Sequence, residues 1–262
     1  MKALAVFGNP ISHSKSPRIH NYAIKSLGLN AFYTRYLLDD EKDLRARLFA
    51  LSLDGANITV PFKKQALDCA DFKDELALKI GSANTLLVKN NKIYAYNTDA
   101  PGFLQAISSF KDVKKALILG AGGTARAIAF ALLSKGVDVC VANRSSVNLE
   151  AFSFCKTSLY DDLQDFEFEC VINSTSAGLN NDDLPCKKEL LSEILQNAKF
   201  AFDVIYGKET AFLKLCKSLN VHCKDGLDML LWQAVFAFEL FFDIKDRERE
   251  IAQAMYEAIA LK

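Results

Sequence analysis

The sequence predicts an α/β fold in two parts, the second of them a doubly wound parallel sheet. Three observations carry this. Short apolar runs alternate with helix-like stretches along nearly the whole chain, the pattern of strands buried beneath helices. From Lys115 the alternation becomes regular, with strand-like runs at Ala116–Gly120, Val137–Ala142, Cys170–Asn173 and Phe200–Val204. Between the first two lies Gly120-Ala121-Gly122-Gly123-Thr124-Ala125-Arg126, a G-x-G-x-x-A turn leading into a helix over Ala125–Leu133. At 262 residues the chain accommodates one large domain or two of ordinary size. The change of pattern near residue 100 sets the expected boundary.

The elements follow in order. Met1–Phe7 reads as a first strand, followed by a polar loop and a helix over Pro17–Leu27. Ser16 is placed to cap that helix, Pro17 suits its first turn and Gly28 its stop. Ala31–Leu38 is strand-like and Asp40–Leu51 helical. Gly55–Thr59 makes a short strand, which Pro61 breaks before a further helix. Leu86–Tyr96 reads as a hairpin about Asn90-Asn91, a pair tolerant of positive φ. Asp99-Ala100-Pro101-Gly102 is a helix start, and Leu227–Leu261 is helical with a break at Asp243–Asp246.

Composition narrows the class. Half the residues are hydrophobic and Lys+Arg balance Asp+Glu at 32 each, so a large core is available and nothing points to nucleic acid. The N-terminus reads as a strand without a cleavage pattern. Met229–Phe242, interrupted by Gln233 and Glu239, is shorter than the roughly 20 residues that span a bilayer and reads as a buried helix. Seven scattered cysteines without C-x-x-C, and three histidines without paired spacing, predict a reduced, cytoplasmic, metal-free protein.

The glycine-rich turn has a physical use. It leaves backbone N–H groups and the positive end of a helix dipole facing outward, suited to a pyrophosphate, and lacks the Cβ atoms that would hold a ligand off. After the next strand, where NAD-preferring proteins carry Asp or Glu for the ribose hydroxyls, this chain has Asn143-Arg144-Ser145-Ser146. A guanidinium binds a 2′-phosphate that a carboxylate would repel. The expected cofactor is therefore NADP(H).

Four further polar clusters stand out. Ser12-His13-Ser14-Lys15-Ser16-Pro17 follows the first strand, at the carboxyl end where open α/β sheets bind ligands. Asn57-Ile58-Thr59-Val60-Pro61-Phe62-Lys63 closes another strand, and Ser82-Ala83-Asn84-Thr85 and Tyr96-Asn97-Thr98-Asp99 flank the hairpin. Gln233 lies in an oily helix, where a buried amide needs partners. Each has an ordinary role open to it as well: Ser14, Ser16 and Asp99 as turn or capping residues, Lys63 as a solvated lysine like Lys64.

Taken in order, these motifs resemble the shikimate dehydrogenase family, NADP-dependent enzymes of aromatic amino-acid biosynthesis. The resemblance runs from Gly8 to Gln233. It is carried by S-x-S-x-S-P at Ser12–Pro17, G-A-N-I-T-V-P-F-K at Gly55–Lys63, N-T-D at Asn97–Asp99 and G-A-G-G-x-x-R-A at Gly120–Ala127. N-R-S at Asn143–Ser145, N-S-T-S-A-G at Asn173–Gly178 and D-G-L-x-M-L-x-x-Q at Asp225–Gln233 complete it. It implies reversible reduction of 3-dehydroshikimate to shikimate. Ser14, Ser16 and Tyr206 would hold the substrate carboxylate, and Asn57, Thr59, Asn84, Asp99 and Gln233 the ring hydroxyls. Lys63 and Asp99 would form the catalytic pair, with a positioned ammonium stabilising and protonating the developing alkoxide. Gly120, Ala121, Gly122, Gly123 and Thr124 would hold the pyrophosphate of NADP(H), with Asn143, Arg144 and Ser145 around its 2′-phosphate.

The implied architecture is an N-terminal α/β substrate domain, residues 1–100, completed by C-terminal helices from about 231 to 262, and a Rossmann-type cofactor domain over 101–230. The implied active site is a cleft that domain closure would narrow. The protein would be a monomer or homodimer. Four departures from the family pattern stand out. Asn148 occupies a position that is commonly basic, the Tyr206–Thr210 loop is one residue short and lacks proline, and Asp228 and Ala100 replace common glycines. The rival readings are a dual quinate/shikimate dehydrogenase, disfavoured by serine at both 14 and 16, and a catalytically silent dinucleotide-binding regulator, disfavoured by the retention of Lys63 and Asp99.

Overall fold

Two sheets organise the chain, and the computed structural model describes residues 1–261 of it. The chain divides into one unit of Met1–Gly102 with Leu231–Lys262, and a second of Phe103–Leu230.

In the first unit the elements are β1 (Lys2–Gly8), α1 (Ser16–Ser26), β2 (Ala31–Leu37), α2 (Leu44–Ala50), β3 (Gly55–Ile58), α3 (Lys63–Asp68), β4 (Phe72–Lys73), α4 (Glu75–Ile80), β5 (Thr85–Lys89) and β6 (Lys92–Tyr96). The helix α5 (Asp99–Ala106) leads out of it. The strand order is β2-β1-β3-β5-β6-β4. β1 pairs in parallel with β2 on one side and β3 on the other, whereas β5 runs antiparallel to both β3 and β6. The chain thus reverses direction across β1, and the loops leaving β1 and β3 meet at a topological switch point, where α/β sheets bind ligands. Leu4, Ala5, Val6 and Phe7 are all buried, as expected of a strand covered on both faces.

The hairpin turns on Asn90 and Asn91 at φ 51° and 58°, as the asparagine pair predicted. The first helix differs from expectation. Its N-cap is Lys15, in the right-handed helical region, and Ser16 is buried inside the first turn instead of capping it. The segment Asp40–Leu51 splits into a 3₁₀ turn over Glu41–Asp43, capped by Asp40, and the α-helix α2. β4 and α4 carried no sequence signal strong enough to be predicted.

The second unit contains β7 (Lys115–Leu119), α6 (Gly123–Leu133), β8 (Asp138–Asn143), β9 (Lys156–Leu159), β10 (Cys170–Asn173), α7 (Lys188–Gln196), β11 (Phe200–Asp203), α8 (Ala211–Ser218) and β12 (His222–Lys224). All strands are parallel, in the order β12-β11-β10-β7-β8-β9. This is the doubly wound dinucleotide-binding order, with the switch point between β7 and β10.

The helix α9 (Leu227–Phe242) carries the chain back to the first unit, where α10 (Glu248–Ala260) packs on α1. The break between these helices holds Asp243 and Asp246 in the left-handed region. Gly226 precedes α9 because a Cβ there would lie 2.2 Å from the carbonyl oxygen of Val204. Asp228, in place of the usual glycine, reaches Lys224 Nζ at 3.3 Å. Among the described residues no helix is long and apolar enough to cross a membrane, and no cluster of side chains is suited to a metal.

Candidate active site

In the first unit, Lys63 and Asp99 meet. Lys63 opens α3 just beyond the end of β3, and Asp99 opens α5 just beyond β6. Lys63 Nζ donates to Asp99 Oδ2 at 2.7 Å, with the two side chains 15% and 9% exposed. The Lys63 carbonyl accepts from Ala83 N–H at 2.9 Å, which ties the start of α3 to the segment bearing Asn84. Lys64, by contrast, is exposed.

Asn84 is the hub of this cluster. Its Nδ2 donates to Asp99 Oδ1 at 2.9 Å, to Thr98 Oγ1 at 2.9 Å and to Gln233 Oε1 at 3.3 Å. Its Oδ1 accepts from Thr98 N–H at 2.8 Å. Asp99 does not cap α5; Asn97 does that, its Oδ1 accepting from the N–H groups of Asp99 and Ala100 at 3.1 and 3.3 Å. The Asp99 carboxylate is thereby left to face Lys63 and Asn84. Ala100, where a glycine is common, is buried with its N–H used in this cap.

Ser14 lies in the loop after β1, and Ser16 opens α1. Ser14 Oγ accepts from Ser16 N–H at 3.3 Å, and Arg35 holds the loop by donating to the carbonyls of Ser12 and Ser14 at 2.7 and 3.1 Å. Thr59 follows β3 and is half-buried beside Gly8, where a Cβ would lie 2.5 Å from Thr59 Cγ2. Asn57 is buried with its amide committed to Tyr33, Thr85 and the Asn84 carbonyl. Gln233, on α9, packs against Gly102, where a Cβ would lie 2.7 Å from its backbone nitrogen. Asn97, Thr98 and Thr85 hold the cluster together and were not singled out from the sequence, although each sits in a polar cluster that was.

In the second unit, loops after β7, β8 and β10 surround a cavity of about 510 Å³, lined among others by Gly120, Gly122, Asn143, Arg144, Asn148 and Thr175. Gly120 has φ +100° and would bring a Cβ to 2.9 Å from Thr175 Cγ2, so glycine is required there. A Cβ on Gly122 or Gly123 would meet nothing within 4 Å, so these glycines face open space at the start of α6. Ala121 lines the same cavity, and Thr124 continues from Gly123 into the helix. Asn143 Nδ2 donates to the Ser145 carbonyl at 2.9 Å and shapes the turn that carries Arg144. Arg126 faces elsewhere, over the rings of Phe130 and Phe154.

Tyr206 lies half-buried in the loop after β11, and burial pushes its phenol pKa up. That loop is anchored by the buried Asp203, which accepts from Thr210 Oγ1 at 2.6 Å, Ile205 N–H at 3.1 Å and Asn173 Nδ2 at 3.1 Å. Burial raises the Asp203 pKa against the pull of these donors.

Residues 6–86 match the family model of the shikimate dehydrogenase substrate binding domain. The chain is 45% identical over 241 residues to the NADP(+) shikimate dehydrogenase of Helicobacter hepaticus, covering 90% of each chain. It is 35% identical to that of Caldanaerobacter subterraneus, covering 92% of this chain and 93% of the relative. Among solved structures it resembles shikimate 5-dehydrogenase from Thermus thermophilus in complex with NADP(H) and shikimate, with a TM-score of 0.86 and 33% identity over 98% of this chain and all of that one. The chain belongs to the shikimate dehydrogenase family.

Proposed function

We propose that this protein is an NADP-dependent shikimate dehydrogenase that interconverts 3-dehydroshikimate and shikimate. The observation that carries the reading is the Lys63–Asp99 pair, 2.7 Å apart and braced by Asn84, at the end of the sheet where ligands bind. The first unit is taken as the substrate-binding, catalytic part and the second as the NADP-binding part.

The second unit fits the cofactor. Open space at Gly122 and Gly123, the positive φ of Gly120 and an arginine in the cavity wall suit a pyrophosphate and a 2′-phosphate. Gly120–Thr124 and Asn143, Arg144 and Ser145 would hold NADP(H), which when bound would supply or take up the hydride at the substrate's C3.

In the reducing direction the oxygen on that carbon gains negative charge. Lys63 donates a proton from Nζ to it, and in reverse takes the hydroxyl proton back. Asp99 keeps Nζ aimed, and Asn84, which also bonds Gln233, keeps Asp99 in place. Ser14, Ser16 and Tyr206 are assigned the substrate carboxylate, and Asn57, Thr59, Asn84, Asp99 and Gln233 the ring hydroxyls. A reducing, cytoplasmic compartment fits cysteines that are all thiols, with burial pushing Cys140, Cys155 and Cys186 up to about 11.

The test follows NADPH absorbance with shikimate and NADP⁺, beside quinate and NAD⁺ at matched concentrations. Fast reduction only with the first pair supports the assignment. Equal rates with quinate or NAD⁺ overturn the specificity, and no rate with any pair overturns the function.

A further inference from the structure

We propose that Tyr33, a buried residue of the edge strand β2, is a positioning residue for the substrate. Its phenol fixes the amide of Asn57 and, through it, the Asn84–Thr85 segment of the active site. The inference rests on the function proposed above.

Tyr33 is the one buried residue of β2, 3% exposed between the exposed Phe32 and Thr34. Its backbone is held at both polar groups by one side chain of α1. Asn21 Nδ2 donates to the Tyr33 carbonyl at 2.7 Å, and Tyr33 N–H donates to Asn21 Oδ1 at 2.9 Å. Its ring lies flat on the His20 ring, centroids 4.2 Å apart and planes 3° from parallel. Position and plane of the phenol are therefore set from three directions before its hydroxyl is considered.

A buried hydroxyl is costly unless it finds a partner. Tyr33 Oη donates to Asn57 Oδ1 at 2.7 Å. The other end of that amide faces Thr85 Oγ1 at 3.0 Å and the Asn84 carbonyl at 3.3 Å. A carbonyl can only accept, so the group facing it must be the NH₂, and Oδ1 is left for the phenol. Asn57 is thus locked in one orientation, with its amide protons spent on the strand that carries Asn84. Asn84 in turn holds Asp99 and Gln233. Tyr33 therefore supports the frame of the hydroxyl-binding residues through Asn57, without being assigned to the substrate itself.

This arrangement separates binding from chemistry. The 2.7 Å bond between Lys63 and Asp99 uses no atom of Tyr33 or Asn57, so removing the phenol leaves both groups assigned to proton transfer present. Asn57 Oδ1, by contrast, is left as a buried acceptor without a donor, and the amide loosens together with the residues it orders.

The experiment is steady-state kinetics of Tyr33→Phe, which retains the ring and its stacking. The expected result is a KM for shikimate raised about ten-fold, the usual scale for a lost buried hydrogen bond. kcat should stay within about three-fold by the same argument, and KM for NADP⁺ should not change. In an Asn57→Ala background the same substitution should add no further rise in KM. A Tyr33→Phe protein with lowered Tm but unchanged KM has lost only structural support, which overturns the proposal. So does a fall in kcat at constant KM, or full additivity with Asn57→Ala. If Tyr33→Phe does not fold, Asn57→Asp keeps the acceptor toward Tyr33 and removes the donation to Asn84; it should raise KM in the same way, and an unchanged KM overturns the proposal. A wild-type protein inactive on shikimate removes both this inference and the function beneath it, whereas an active wild type with an unaltered Tyr33→Phe removes this inference alone.

Discussion

Lys63 Nζ sits 2.7 Å from Asp99 Oδ2, while the other oxygen of that carboxylate accepts from Asn84 Nδ2 at 2.9 Å. One carboxylate thus directs the ammonium and is itself directed. Lys63→Ala removes the proposed proton donor while substituting none of Asn84, Gln233 and the two serines. kcat should fall by about 10²–10⁴, the usual worth of a positioned acid or base, while KM for shikimate moves only a few-fold. Steady-state kinetics decide it, and near-normal turnover in Lys63→Ala would remove Lys63 from the chemistry.

Much of this site was legible because its parts are local. The glycine turn after an apolar strand, the arginine after the next strand, and the polar residues closing β1 and β3 all lie within a few residues of the element that positions them. What was not legible depends on partners far away in the chain. Ser16 stands where a capping serine would stand, yet Lys15 takes the cap and Ser16 is buried, a difference fixed by packing and invisible in the local pattern. Asp99 has a capping role open to it in the sequence, and only the direction of the Asn97 amide shows that Asn97 does the capping and leaves Asp99 for Lys63. Tyr33 carries no signal within its own strand, because its partner Asn57 lies 24 residues on. The two-residue strand β4 is defined by pairing with β6 and not by any run of its own.

Arg144 and Asn148 line the same cavity as Gly120 and Gly122. A 2′-phosphate held there by one guanidinium should lose roughly ten-fold or more in affinity when that charge is removed, given about 1.5–3 kcal/mol for a hydrogen bond to a charged group. Arg144→Ala should raise KM for NADP⁺ by that amount and leave NAD⁺ activity nearly unchanged. Asn148→Arg should move KM for NADP⁺ the other way, by supplying a second cation. Equal effects of Arg144→Ala on both cofactors would contradict a 2′-phosphate role.

Gly102 lets α5 and α9 approach closely enough for Gln233 to reach Asn84 at 3.3 Å. A Cβ at residue 102 would stand 2.7 Å from Gln233 N and 2.9 Å from Gln233 Cβ, and backbone cannot step aside as a flexible side chain can. Gly102→Ala should therefore cost about 1–3 kcal/mol of stability and displace Gln233. The expected readouts are a lowered urea midpoint and a raised KM for shikimate, with NADPH binding by fluorescence unaltered. A variant as stable as the wild type would mean that the helices can separate freely at this point.

His20 is fully buried, stacked on Tyr33, and neither ring nitrogen has a hydrogen-bond partner. Burial alone drives its pKa from 6.5 down to about 3, so the folded protein keeps the ring neutral. The unfolded chain takes up the proton first, near pH 6.5, and the stability due to the neutral ring, complete above that pH, is lost as the pH falls toward 3. At pH 5 the loss from this residue amounts to about 2 kcal/mol, from 1.5 pH units at 1.36 kcal/mol each. Glu239 on α9 works in the opposite sense: burial and the nearby Glu248 and Asp246 raise it from 4.5 to about 7, so its contribution falls as pH rises between those values. The two are separated by measuring urea midpoints from pH 4 to 8 in Glu239→Gln, with and without His20→Phe. The His20→Phe protein should show a flatter acid limb below pH 6.5. An identical slope in the two backgrounds would mean that His20 is protonated, or released, in the folded state.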